Sequence, residues 1–323
     1  MSQLNSLVGN GEEPCPGIFG LGRSGPSGLQ PFRTHNQLNK RNKLDLIPFL
    51  AALLSAIFHA GWNAAARSRP DPSAAVTATV FMAGVISIPF TLWFGLPPLE
   101  AFPWLLLGIV FNTTTLRILV AIYRLMPFAV AYPMMRGTIP LAVTALDFIF
   151  LPMGFRGALA LFGIILVSVG VILLAFSGRR QESLGWKPIL LAVLGGVTAA
   201  AYVITDVKGI AITGSPLVYG LVAAIINAIA MPFFMRAEGV PLSKVMKGEY
   251  RFGFFASLFS MSSYVLFLYA LTHGPVGAAS AIRETSVLFA LGISVIILKE
   301  PVGLLRWTAC GLAFAGAVLL RMG

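Results

Sequence analysis

A chain of 323 residues that is 57% hydrophobic and only 11% charged is not a soluble globular protein, in which about 25% of residues are charged. The mean hydropathy of +0.85 excludes that class again. A net charge of +11 would point to nucleic acid in a soluble protein, but here no long basic run forms, and anionic lipid beside the membrane ends accounts for the charge more simply.

Residues 1–45 stand apart from the rest. They are rich in glycine (Gly9, Gly11, Gly17, Gly20, Gly22, Gly25, Gly28) and proline, with too few large apolar residues for a core, and are expected to be a disordered tail. No apolar run with a cleavage site appears there, so a signal peptide is not expected. A true start near Leu44 is a second expectation, which N-terminal sequencing of the purified protein tests. Cys15 in this tail and Cys310 near the other end imply neither a disulfide nor a metal framework.

From residue 46 the chain is a succession of apolar runs. A helix needs roughly 20 apolar residues to cross about 30 Å of hydrocarbon. The runs 46–66, 73–95, 103–125, 128–152, 155–176, 187–207, 216–235, 250–273, 275–298 and 302–322 satisfy this, giving ten expected transmembrane helices. They are too long for barrel strands and lack in/out alternation. Short connections, as at Pro127, Gly154 and Gly274-Pro275, make neighbouring helices antiparallel.

The ten spans divide five and five around 177–186 (SGRRQESLGW), and the halves resemble each other. Pro48 matches Pro188 and Trp62 matches Tyr202 at a spacing of 140 residues, and Tyr123 matches Tyr269 at 146. Arg136/Arg283, Thr138/Thr285, Leu141/Leu288 and Leu151/Leu298 match at 147. Two halves of five spans joined by one short loop have opposite orientations, which is the inverted-repeat plan of secondary transporters. The expected domains are thus a tail over 1–45, a first repeat over 46–176 and a second over 187–322. Orientation is contradictory. Lys40, Arg41 and Lys43 favour a cytoplasmic N-terminus and hence C-terminus, whereas loop cations such as Arg67, Arg179, Arg180, Lys244 and Lys247 favour the reverse.

An ionisable residue within a membrane helix costs roughly 2.5–3.5 kcal/mol on insertion scales and marks function by default. Arg136 and Arg283 are such residues, one in each half. Either could hold an anionic group through its bidentate guanidinium fork, or could be neutralised by carbonyls or by Glu284 to serve packing. On a helix, Tyr132, Val143 and Asp147 lie within about 40° of Arg136, but Asp147 is roughly 16 Å along the axis and out of its direct reach. Glu284 is a counter-charge for an arginine or a protonatable coupling group. His59 is a proton carrier or an interhelical hydrogen-bonding group, with Asn63 beside it. Trp62 and Tyr202 either wall a cavity or fill space. Tyr264, Tyr269, Ser262 and Ser263 are weaker cavity candidates, and Asp206 and Lys208, near a span end, are expected to reach water. The prolines Pro127, Pro133 and Pro140 remove helix donors around Arg136.

Several stretches resemble the EamA-type branch of the drug/metabolite transporter superfamily. His59-Ala60-Gly61-Trp62-Asn63 is similar to an HAxWN pattern. Ala131-Tyr132-Pro133 followed by Arg136-Gly137-Thr138 is similar to a YP…RG(T/S) stretch, and Leu298-Lys299-Glu300-Pro301 is similar to the close of the second repeat. Met153 departs from the pattern, since an acidic residue is expected opposite Glu300. Over residues 46–322 the resemblance implies an all-α integral membrane protein of two inverted five-helix repeats around a central cavity. It further implies transport of small metabolites, amino acids or drugs.

The expected function is therefore a secondary transporter of the inner membrane, moving an anionic or zwitterionic solute by alternating access, as an exporter coupled to a proton or solute gradient. Arg136, Arg283, Tyr132, Trp62, Tyr202, His59 and Asn63 would meet the solute, and Glu284 and Asp147 would supply counter-charge or coupling. Partners are a small molecule and the bilayer, with room for a homodimer and no nucleic acid. No cofactor or metal is expected, because neither a GxxxxGK[ST] loop nor metal-ligand spacing occurs. Alternatives are an intramembrane enzyme on a lipid-linked substrate, for which the acids are too scattered, and a non-transporting membrane subunit.

Overall fold

The computed structural model describes residues 45–125, 128–151, 157–176, 185–237, 242–298 and 303–322. The expected tail up to residue 44, Pro127, Met153 with Gly154, most of the junction between halves, and Lys299-Glu300-Pro301 lie outside the described residues. Those described form helices and no strand: α1 Leu46–Arg67, α2 Pro72–Phe94, a 3-10 turn Leu99–Ala101, α3 Phe102–Tyr123, α4 Phe128–Phe150 and α5 Ala158–Ala175. The second half holds α6 Trp186–Thr213, α7 Pro216–Ala237, α8 Leu242–His273, α9 Val276–Glu284, α10 Ser286–Leu298 and α11 Leu304–Met322.

Seven of these helices are long and apolar enough to cross a membrane. Their composition leaves the backbone no water to bond with, so helix is the only local structure that satisfies it. Local signals set the ends. Asp71 accepts from the Ala74 amide at 3.0 Å, with Pro72 in the first turn of α2. Gly214, at φ 72°, ends α6 in the left-handed conformation. That ending comes later than the sequence suggests, and α6 runs on past 207. Likewise α8 begins at Leu242 rather than near 250.

The ninth expected span is not one helix. It breaks at Thr285, between α9 and α10. The Thr285 hydroxyl donates to the Ile282 carbonyl at 2.6 Å, and the Leu288 amide reaches back only three residues, to the Thr285 carbonyl, at 2.8 Å. A short polar side chain that bonds its own backbone competes with the helical ladder. The break falls directly after Arg283 and Glu284.

Around this point α4 packs against α5, α6 and α9, while α1 packs against α8, α9 and α10. Elsewhere α3 lies on α6, α2 on α7 and α8, and α5 on α11. Small residues permit the closest approaches, as they do between membrane helices generally. A Cβ on Gly163 would sit 2.9 Å from the Gly316 carbonyl, and one on Gly137 2.9 Å from the Ser168 carbonyl. Polar pairs pin the seams. Ser55 and Ser263 each donate to the other's carbonyl, at 2.7 and 2.8 Å, and Asn112 donates to Asn227 at 2.9 Å. Large apolar side chains such as Leu92, Trp93, Phe148 and Phe314 are exposed on the outside, where a soluble protein would not gather them.

Candidate functional site

Arg136 sits in the middle of α4, between Pro133 and Pro140. Pro140 has no N–H, so the Arg136 carbonyl loses its normal i+4 helix donor. The side chain is 8% exposed. Its Nε donates to the Tyr132 hydroxyl at 3.0 Å, one turn back, and the guanidinium lies 5.1 Å from the Tyr132 ring centre. One terminal nitrogen donates to Glu284 Oε1 at 3.0 Å and lies 3.0 Å from Oε2. The other meets His59 Nε2. Glu284 is 3% exposed and ends α9, so the break brings its carboxylate to α4. His59 in turn packs edge-on to Trp62, with ring centres 5.5 Å apart. Three helices thus converge in a nest on the Arg136–Glu284 ion pair, and the Arg67 guanidinium lies 5.2 Å from the centre of the same Tyr132 ring.

Arg283 is built differently. Adjacent positions on a helix point about 100° apart, so Arg283 faces away from its neighbour's partner. Its guanidinium lies 4.1 Å from the ring centre of Phe267 on α8, a cation–π distance. The buried Nε has no hydrogen-bond partner, and among the described residues no carboxylate lies within ion-pair distance of Arg283. Trp62 Nε1, Ser280 Oγ and Ser286 Oγ are also buried without a partner, the two serines flanking Arg283 in sequence. Such orphaned atoms are rare and call for an explanation.

Three residues before Phe267, the same face of α8 meets a third charged group. Asp206, expected to reach water, is instead 1% exposed. The correction follows from the length of α6, which continues to Thr213 and carries Asp206 well inside. The Tyr219 hydroxyl donates to Oδ1 at 3.1 Å and the Tyr264 hydroxyl to Oδ2 at 3.0 Å. Tyr202 stacks on Tyr264, with ring centres 6.4 Å apart and planes 10° from parallel. Gly209, one turn beyond Asp206, leaves the space that the Tyr219 ring fills.

The structure therefore gathers Arg136, Glu284, His59, Trp62 and Tyr132, and places Tyr202 with Asp206 and Tyr264. Asn63 turns back to its own helix, donating to the His59 carbonyl at 2.7 Å. Asp147 is buried toward the far end of α4, away from Arg136, with Oδ1 unpartnered. Arg117 is exposed on α3. Ser263 is taken up by its pairing with Ser55, and Tyr269 stacks on His273. Sequence reasoning missed the Asp206 cluster. The signal was an acidic residue followed three positions later by glycine, within an apolar run that extends to Gly214. Among the described residues no group of three His, Cys, Asp or Glu side chains could hold a metal.

Residues 186–322 match the model of the EamA-like transporter family. Among solved structures, 27 chains match. One, titled only as the crystal structure of a protein, has a TM-score of 0.66 at 17% identity and covers 86% of this chain and 97% of its own. At that identity the likeness shows the fold alone. No curated protein matches the sequence.

Proposed function

We infer, for a chain that carries an EamA-like transporter domain of the drug/metabolite transporter superfamily over residues 186–322, a secondary transporter that moves a small organic anion or zwitterion. The apolar helices and the family make it a multi-pass membrane protein. To this we add the inner membrane, cytoplasmic termini, two inverted five-helix repeats, and coupling of solute movement to a proton or solute gradient. Alternating access would rock the repeats about the level of the two arginines.

Helix pairing supports the repeat reading. If α1 to α5 correspond to α6, α7, α8, α9 with α10, and α11, then α3 on α6 has its counterpart in α8 on α1. In the same way α4 on α6 corresponds to α9 and α10 on α1. The pairs α2 with α7, α4 with α9 and α5 with α11 map onto themselves.

The observation that carries the functional reading is Arg283: a guanidinium inside the helix bundle, at a helix break, with its Nε buried and unpartnered. Its planar fork suits a carboxylate. Arg136 is already satisfied by Glu284, so it holds α1, α4 and α9 together while Arg283 takes the solute. Phe267, Tyr264, Tyr202 and Trp62 would form the wall. The test is uptake and efflux of labelled carboxylates and amino acids in reconstituted vesicles, with and without a proton gradient. Arg283→Ala abolishes movement of whichever solute the wild type carries. Unchanged transport by well-folded Arg283→Ala protein overturns the reading.

A further inference from the structure

Asp206 is buried and the Arg283 cation half-buried within the same bundle, and among the described residues neither has an oppositely charged partner at bonding distance. The acid is on α6 and the base on α9. Between them stands one face of α8, where Tyr264 bonds Asp206 and Phe267, three residues on, supports Arg283.

The ionisable groups around Asp206 are few. Those around it are Tyr219 from α7, Tyr264 from α8 and Tyr202 from its own helix, with Arg283 from α9 next along the same face of α8. Of the other elements packed against α6, the 3-10 turn carries Glu100 and α3 carries Arg117, both exposed. From α4, Arg136 is engaged by Glu284, and Asp147 lies toward the far end. Lys208, two residues on along α6, is only partly buried.

A tyrosine hydroxyl can both donate and accept. The pair Tyr219 and Tyr264 can therefore hold Asp206 as a carboxylate, by donating to it, or as a carboxylic acid, with one of them accepting a hydrogen bond from its O–H. An ionised Asp206 in a medium of low dielectric has one cation toward which to move, Arg283. A protonated Asp206 has no such pull.

We propose that Asp206 is a proton-binding site whose deprotonation draws Arg283 away from the solute, so that a proton binds to the transporter together with each anion. This rests on Arg283 as the anion anchor. The proton comes from water on the open side and goes to a carboxylate oxygen of Asp206. The guanidinium thus freed is left for the incoming anion. Two arrangements follow: Asp206 protonated and held by tyrosines with Arg283 available, or Asp206 ionised and paired with Arg283. Exchange between them requires α6 and α9 to shift relative to α8, which is the kind of bistable element a transporter needs.

The test is infrared difference spectroscopy of the purified full chain in detergent, stepped in pH, with side-chain-labelled aspartate to separate aspartate from glutamate carboxyl bands. The labelled wild type and Asp147→Asn should both show a protonated aspartate band that disappears as pH rises. Asp206→Asn added to Asp147→Asn should lose the band, and Glu284→Gln should keep it. In Arg283→Gln the band should persist to higher pH, by about one unit or more, because the cation favouring the carboxylate is gone. The proposal is overturned by a band whose transition survives unmoved when Asp206→Asn is added to Asp147→Asn, by its absence from Asp147→Asn at every pH, or by a transition that Arg283→Gln leaves unmoved. If Asp206→Asn does not fold, the labelled Asp147→Asn protein and its Arg283→Gln derivative still decide the matter. None of these readings needs a solute. If no vesicle transport is found while the band behaves as expected, only the transport reading fails.

Discussion

Arg136 and Arg283 occupy matching places in the two halves, yet only one of them has its charge cancelled. The same offset of 147 residues that pairs the arginines sets Gly137 opposite Glu284. Glu284 reaches across to Arg136, and among the described residues no carboxylate of the first half comes within ion-pair distance of Arg283. Gly137 cannot do so, because it is committed to packing: its Cα faces α5, where any Cβ would crowd the Ser168 carbonyl. One residue difference between otherwise similar turns therefore separates a structural charge from an open one. A buried ion pair is weak support for stability while intact, but removing one partner is costly.

The largest effect should come from breaking the cancelled side. Glu284→Ala leaves Arg136 buried without its anion and should destabilise the protein by about 3–5 kcal/mol, read as thermal unfolding in detergent. Arg136→Met with Glu284→Met should recover most of that loss, since both charges leave together. If Glu284→Ala unfolds like the wild type, the nest is not the structural member of the pair. Arg283→Ala is the contrasting case. It removes a cation that, among the described residues, has no carboxylate at ion-pair distance, so stability should hold while transport falls at least a hundredfold, equivalent to about 2.7 kcal/mol in the barrier. A large loss of stability with residual transport intact would reverse the two roles.

Much of this was legible before any coordinates. Ten apolar runs, the 147-residue offset and the identity of the central residues follow from hydropathy and spacing alone. What spacing could not supply was partnership. The side chains of Arg283 and Glu284 are adjacent in sequence but go to different helices, and only the break at Thr285 and the packing of α9 on α4 decide which one meets Arg136. Asp206 was misread for a related reason: its depth depends on where α6 stops, and the stop is Gly214 rather than the end of the densest apolar run. Gly137 looked like part of a motif, and the structure gives it a physical reason. Gly137→Ala should cost about 1–3 kcal/mol through overpacking against α5, measured as the same unfolding shift. A neutral result would mean that α5 can retreat, and that glycine is not what denies Arg283 an acid from the first half.

The smallest expected effect sharpens the comparison most finely. Tyr132 and Tyr264 each bond a buried charge through one hydroxyl, Tyr132 accepting from Arg136 and Tyr264 donating to Asp206. Tyr132→Phe removes an acceptor from a guanidinium that keeps Glu284, so stability should fall by only about 0.5–1.5 kcal/mol. The response of transport to a pH step across the vesicle membrane should not change. Tyr264→Phe removes a donor from a carboxylate that keeps Tyr219, so its cost in stability should be similar while the response to the pH step changes. The two variants delete the same atom from the same residue type. A difference confined to pH response therefore cannot be put down to lost packing. If both variants respond to pH alike, the charged groups on the two sides of the bundle are equivalent, and the asymmetry between Gly137 and Glu284 has no consequence for coupling.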